Sequence, residues 1–273
     1  YNMLSYFDTA QTVYIIIVAF LLGACVGSAM NCLAYRIANK QKWSGSSRSA
    51  CPNCGHTLSM LDLIPIFSWL FLGGKCRYCK KKISARYPIT EMITGLCFVA
   101  IILKFDISVM SLTAAVLVAC LLALSVVDLD TFEIPDRFLI IPAAVRLLYL
   151  GIKSAIEDGF LGCLKALGLC ILPGLIMFAG MLLLSLFMDK VLKRESMGGG
   201  DIKLFGMAGL WITLPQILLL LISACIIGLI FAVALKAGKG KEFPFGPAIS
   251  AATFLTIIFG DTVLNAYLSL FTF

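Results

Sequence analysis

The chain alternates between long apolar runs and short polar breaks. Apolar runs near the roughly 20 residues that carry a helix across a bilayer core are predicted at about 13–34, 89–104, 109–127, 138–152, 164–188, 203–213, 215–235 and 245–271. The expected fold is therefore an all-α polytopic membrane protein with about eight transmembrane helices. The runs at 138–152 and 203–213 are short for a hydrocarbon core of about 30 Å, so tilt, local thinning or a start inside a cavity is expected there. One break is long: between Arg36 and Pro88 the chain turns polar and basic, with turn formers in Trp43-Ser44-Gly45-Ser46-Ser47. This divides the chain into a first membrane helix (1–36), an insert outside the bilayer (37–88) and a membrane bundle (89–273).

Composition agrees with the pattern. Hydrophobic residues make up 60% and charged residues 14% of the chain, with a mean hydropathy of +0.99, whereas soluble domains hold roughly 45–50% and 25%. The net charge of +7 is sorted in space. With the N-terminus outside, the inner segments collect Arg36, Lys40, Lys42, Arg48, the bases from Lys75 to Arg86, Arg137, Lys190, Lys193, Arg194, Lys203, Lys236, Lys239 and Lys241. Lys104, Arg146, Lys153 and Lys165 fall elsewhere. Such a bias marks the cytoplasmic side and a face beside anionic lipid rather than a nucleic-acid partner. Leu22-Gly23-Ala24-Cys25 has the look of a lipoprotein cleavage box, but Tyr1 to Gln11 carries Asp8 and no base, so a retained helix is expected. Gly23, Gly27, Ser28 and Ala29 instead offer a small-residue face for helix packing.

The insert carries Cys51-Pro-Asn-Cys54 and Cys76-Arg-Tyr-Cys79. Two CxxC knuckles about twenty residues apart have the spacing of a four-thiolate zinc site. Paired disulfides are the alternative, disfavoured in a reducing cytoplasm. Four thiolates leave no open position for water, so such a zinc is structural. His56 can replace one cysteine, although an exposed bystander is the simpler expectation. Leu61 to Leu72 is expected to fold as a hairpin or short helix offering Leu63, Ile64, Ile66, Phe67, Trp69 and Phe71 as apolar surface. The remaining cysteines, Cys25, Cys32, Cys97, Cys120, Cys163, Cys170 and Cys225, read as small buried residues.

Acids at the ends of membrane helices mark functional sites. One apolar run ends in Ser125-Val-Val-Asp128-Leu-Asp130, followed by Thr-Phe-Glu133-Ile-Pro135-Asp136; another begins Gly198-Gly199-Gly200-Asp201-Ile-Lys203. In the topology above Asp128 and Asp201 share the cytoplasmic boundary, where two neighbouring carboxyls share a proton and act as base and acid on water and a peptide carbonyl. The glycines are expected to supply unusual torsions and close access to a substrate strand. Phosphate binding at this helix start is disfavoured, because no Gly-Lys-Ser/Thr follows and a carboxylate adjoins it. Asp130 lies as near the boundary as Asp128, and spacing does not separate them. Asp130, Glu133 and Asp136 otherwise read as carboxylates of a polar turn, with Pro135 opening the next helix.

These features in this order resemble the type IV prepilin peptidases, bacterial membrane aspartyl proteases of the GxGD type. The resemblance covers nearly the whole chain: Gly23 to Arg36, the double CxxC insert, Ile83-Ser-Ala-Arg86-Tyr87-Pro88 with Glu91 beyond, Asp128 to Asp136, and the GxGD element ending at Asp201. It implies an eight-helix enzyme of the bacterial cytoplasmic membrane with its active site facing the cytoplasm. It also selects Asp128, seven residues before Pro135, as partner of Asp201. The implied substrates are prepilins and pseudopilins of pilus, competence or secretion systems, cleaved after the glycine that ends a basic leader. The resemblance further implies methylation of the new N-terminus, usually phenylalanine, from S-adenosylmethionine. The N-terminal half is the implied location, with Arg86, Tyr87 and Glu91 as candidates, although no glycine motif for that cofactor is visible. A proton or cation transporter is the alternative class, disfavoured because both acids lie at one face and no inverted repeat is evident; a zinc-bearing scaffold would leave the acids without a purpose.

Overall fold

A computed structural model describes residues 8–40, 49–51, 53–234 and 243–270. The turn formers at 43–47, together with Lys42, Arg48, Lys236, Lys239 and Lys241, lie outside the described residues. Those described are helical almost throughout and contain no strand beyond two isolated bridges. The helices are α1 (Thr9–Ala38), α2 (Phe67–Phe71), α3 (Arg86–Phe105), α4 (Val109–Thr131), α5 (Arg137–Leu192), α6 (Gly199–Gly209), α7 (Ile217–Ala234) and α8 (Gly246–Ser269).

The two short predicted runs resolve differently. The run at 138–152 is the middle of a longer arm, because α5 extends over 56 residues and breaks only at Gly159, whose φ of 69° and ψ of −166° suit glycine alone. Cys163 Sγ lies 3.5 Å from the Gly151 carbonyl oxygen, a separation that an unbroken helix would stretch to about 18 Å at 1.5 Å per residue. The arms 137–158 and 160–192 therefore fold back on each other, and each is long enough to cross a bilayer. By contrast, α6 has 11 residues, about 17 Å, and reaches roughly half of a core of about 30 Å. Counting both arms of α5, eight membrane helices follow one another as the hydropathy pattern predicts.

The chain divides into two compact units, 1–126 and 127–273. In the first, α1 packs on α3 through small residues. A methyl group at Gly23 would sit 2.7 Å from the Thr94 carbonyl oxygen, and one at Gly95 would meet the Phe20 ring at 2.7 Å. Asn31 donates to the Thr90 hydroxyl across the same seam (2.6 Å). The expected small-residue face is thus used at Gly23 and Gly27, both buried, while Ala29 is exposed and lines the cavity described below.

In the second unit α6 lies against the second arm of α5 with backbones touching. A methyl at Gly209 would fall 2.6 Å from Gly174 Cα, so the close approach of these helices depends on glycine at both positions. The far end of α6 is closed by side chains: Arg146 Nε and Cys170 Sγ both donate to the Leu210 carbonyl. Apolar side chains such as Phe160 and Leu229 face outward at 81% and 68% exposure, the arrangement of a protein whose solvent is lipid. The chain is a multi-pass membrane protein.

Candidate active site and candidate metal centre

The four insert cysteines converge. Their sulfurs all lie within 4.8 Å of one another, with Cys51 and Cys79 at 4.0 Å. A tetrahedral ion with bonds of about 2.3 Å to sulfur holds its ligands roughly 3.8 Å apart, so the cluster has the geometry a tetrahedral metal needs. All eleven cysteines are free, so the insert sulfurs are arranged as one cluster and not as disulfide pairs in this structure.

The two knuckles repeat one backbone pattern. Cys51 N–H donates to the His56 carbonyl and Gly55 N–H to that of Cys51; likewise Cys76 N–H donates to the Lys81 carbonyl and Lys80 N–H to that of Cys76. The bridges Ala50 to Thr57 and Lys75 to Lys82 flank them at equal offsets. Each knuckle needs one left-handed residue, supplied by Gly55 in the first (φ 70°) and by Lys80 in the second (φ 58°). The Cys79 amide, opposed by burial and aided by the Tyr78 amide and neighbouring thiols, brings Cys76 down to about 7, closer to the thiolate that binds metal. His56 stands outside the cluster and packs on Tyr78, with ring centroids 3.6 Å apart.

Asp62 braces the second knuckle. It accepts from the Ser59 hydroxyl and amide, from Arg77 Nε (2.7 Å) and from the Tyr78 hydroxyl (3.1 Å). Burial pushes this carboxyl up, but the Ser59, Arg77 and Tyr78 donors outweigh it and hold it at about 2. The predicted helix over part of 61–72 is observed as a 3₁₀ turn at Met60–Leu63 and the single turn α2. Of its apolar residues Ile66 is buried, whereas Phe71, at 86% exposure, projects outward.

The candidates Arg86, Tyr87 and Glu91 separate in space. Arg86 Nη2 donates to the Val126 carbonyl (2.8 Å), whereas Tyr87 and Glu91 line a cavity of about 820 Å³ between α1, α3 and the insert.

Within the second unit three helix ends meet. Asp128, at the end of α4, is 4% exposed, and its Oδ2 accepts the Gly246 N–H at the start of α8 (2.9 Å). Asp201, in the first turn of α6, stands close enough to sense the charge of Asp128. Ile134 fills the space beside them: methyl groups placed at Gly200 and Gly246 would approach its side chain at 3.0 and 3.3 Å. Two residues before Gly200 the backbone is extended (Gly198, φ −64°, ψ 139°). Neither Gly198, Gly199 nor Gly200 adopts a positive φ, so the expectation of unusual torsions is not met. What these glycines provide is room, for Ile134 against Gly200 and for open space around Gly199.

The structure separates the two acids that spacing left equivalent: Asp128 is buried and bonded to the Gly246 N–H, whereas Asp130 is exposed. Lys203, on the outer face of α6, pairs with Asp136 at 2.8 Å and ties the turn after α4 to the helix that carries Asp201. Gly246 and Ile134 were missed in the sequence. The only available signal for the first is Pro244-Phe-Gly-Pro247, a turn signature just before an apolar run.

A helical membrane protein in which two acids from separate helices approach at one end of a bundle, joined to a four-cysteine insert, defines a narrow class. Residues 21–105 match the model of the bacterial peptidase A24 N-terminal domain, and residues 115–233 match that of the type IV leader peptidase family. The chain is 30% identical to the prepilin leader peptidase/N-methyltransferase of Pseudomonas aeruginosa, over 93% of both chains. It is 32% identical to that of Bacillus subtilis, over 82% of this chain and 86% of the relative. Identity to the Neisseria gonorrhoeae relative of the same description is 28%, over 91% and 92%. No solved structure matches the chain. The chain belongs to the type IV leader peptidase family.

Proposed function

We propose that this protein is a membrane aspartyl endopeptidase that removes the basic leader of type IV prepilins or pseudopilins at the inner face of the bacterial cytoplasmic membrane. Asp128 and Asp201 are its catalytic pair, and the meeting of their two helix ends around Ile134 and Gly246 carries the reading. Two neighbouring carboxyls resist double ionisation, so one holds a proton while the other is charged. The ionised carboxyl takes a proton from water as the oxygen attacks the scissile carbonyl, while the protonated carboxyl donates to the carbonyl oxygen. Collapse of the tetrahedral species breaks the C–N bond, and a carboxyl returns a proton to the leaving amine. The Gly246 N–H fixes the orientation of Asp128 throughout, and the space around Gly199 admits the substrate backbone.

Membrane physics supports the choice of substrate. A basic leader stays at the anionic inner surface while the apolar helix after it remains in the bilayer, so the junction between them is presented at the depth of the pair. The sorted basic residues support a cytoplasmic position for this end of the bundle. A structural zinc held by Cys51, Cys54, Cys76 and Cys79 stiffens the insert. The names of the relatives support a second reaction, transfer of a methyl group from S-adenosylmethionine to the new N-terminus, and the first unit holds a cavity of suitable size for such a cofactor. The test is cleavage of a prepilin by purified protein in lipid, followed by gel mobility and mass spectrometry with and without S-adenosylmethionine. An Asp128→Asn or Asp201→Asn protein that still cleaves would remove that residue from the pair.

A further inference from the structure

The cavity of the first unit has a charged floor that the cleavage reaction does not use. Glu91 is 7% exposed and lines the cavity. Its two protein partners are the Ser28 hydroxyl and the Ile66 N–H, the latter 2.7 Å from Oε2. Ile66 carries φ 64° and ψ −55°, and Phe67 N–H donates across it to the Pro65 carbonyl at 2.6 Å. This is the strained hand of the γ-turn, adopted by a β-branched residue for which positive φ is an outlier. The strain turns one amide onto the Glu91 carboxyl, and strain of this kind gathers at functional sites.

A carboxylate has about four acceptor sites, and Glu91 uses two. The rest of its capacity faces a cavity whose lining includes Trp69, Tyr87, Cys25 and Ala29. Arg36, Arg77, Lys82 and Asp62 also line this cavity; within it, a recessed carboxylate with aromatic and small apolar side chains on the same walls is the chemistry that receives a primary ammonium attached to an apolar residue.

Resting on the methyltransferase reading, we propose that Glu91 receives the terminal ammonium of the cleaved pilin and is the base for methyl transfer. Glu91 takes one proton from the ammonium, freeing the nitrogen lone pair. The lone pair attacks the sulfonium methyl; the N–C bond forms as the S–C bond breaks, and that electron pair stays on sulfur as a neutral thioether. The product is a methylammonium, and the proton on Glu91 leaves to water.

Glu91→Gln keeps an acceptor for Ile66 and Ser28 but loses the charge. The expected result is cleavage at the wild-type rate with methylated product reduced at least about a hundredfold. A second measurement needs no cofactor: binding of a short peptide with a free N-terminal phenylalanine, compared with its N-acetylated twin. Wild-type protein should prefer the free amine by about tenfold or more, and Glu91→Gln should lose that preference. Ala29→Trp, which fills the cavity from an exposed position on α1, should lose methylation and keep cleavage, and it serves as the control if Glu91→Gln does not fold. Wild-type protein that cleaves but never methylates would end the methyltransferase reading, and the peptide comparison then decides Glu91 alone. Methylation by Glu91→Gln within about twofold of wild type, or an unchanged peptide preference, overturns the proposal.

Discussion

Gly246→Ala tests the geometry of the carboxyl pair without touching either acid. The added methyl group would sit 2.7 Å from Asp128 Oδ2 and 3.2 Å from its Cγ, about 0.7 Å inside the 3.4 Å at which ordinary contact begins. The nearest atom is the end of a side chain, so Asp128 can rotate away and the fold survives. Loss of the charge-assisted bond from the Gly246 N–H costs stability about 2 kcal/mol. The functional cost is larger. A catalytic group displaced by about 1 Å loses on the order of 10²-fold in rate, and here the displaced group is one of the two carboxyls that move the proton. Gly246→Ala is therefore expected to cleave a prepilin at least about a hundredfold more slowly while remaining monodisperse in detergent with its metal content unchanged. The assay is a time course of leader removal by gel, with size-exclusion chromatography and metal analysis on the same preparation. Cleavage within about twofold of wild type would show that the contact between Gly246 and Asp128 does not set the position of the carboxyl, and the mechanism built on it would fail.

Other outcomes follow from the same structure. Asp128→Asn and Asp201→Asn should each lower cleavage by at least about 10³-fold, since neither amide can take a proton from water, with zinc retained as measured by atomic absorption. Cys51→Ser combined with Cys76→Ser should release the metal and expose 49–82 to limited proteolysis, while the membrane helices keep their circular dichroism. Lys80→Gly relieves a left-handed lysine in the second knuckle and should slow loss of metal to a chelator, reflecting a gain of roughly 0.5–1 kcal/mol. Asp62, held at about 2 against an ordinary 3.8, contributes stability that is present above pH 3.8 and is lost as pH falls through about 2. A carboxyl NMR titration should find it ionised at pH 3, and an ordinary midpoint would contradict the bracing described for the insert.

Much of this protein was legible in one dimension. The eight membrane helices follow from apolar run length, because a bilayer of fixed thickness makes length itself a signal. The four-cysteine cluster follows from the two CxxC repeats, because a knuckle is a local turn whose sulfurs are close in the chain. Asp201 stood out as an acid opening an apolar run after three glycines. Gly159 shows the limit: the hydropathy pattern gave two runs with a break between them, but not that one positive φ makes the turn within a single 56-residue element.

Spacing did not separate Asp128 from Asp130 and the resemblance alone favoured Asp128; the fold supplies the physical reason, because two residues along a helix turn a side chain from the interior to the outside. Gly246 lies 118 residues from Asp128, and nothing near it in sequence indicates that its amide meets a carboxylate. Glu91 was one of three candidates that the resemblance implied, and the strained turn at Ile66 and the cavity gave it an environment that sets it apart from Arg86. Helix number, insert and class were set by the sequence alone, through forces acting over a few turns of chain. The burial of Asp128, the amide that bonds it and the recess around Glu91 were decided only by tertiary structure, because each depends on packing between segments far apart in the chain.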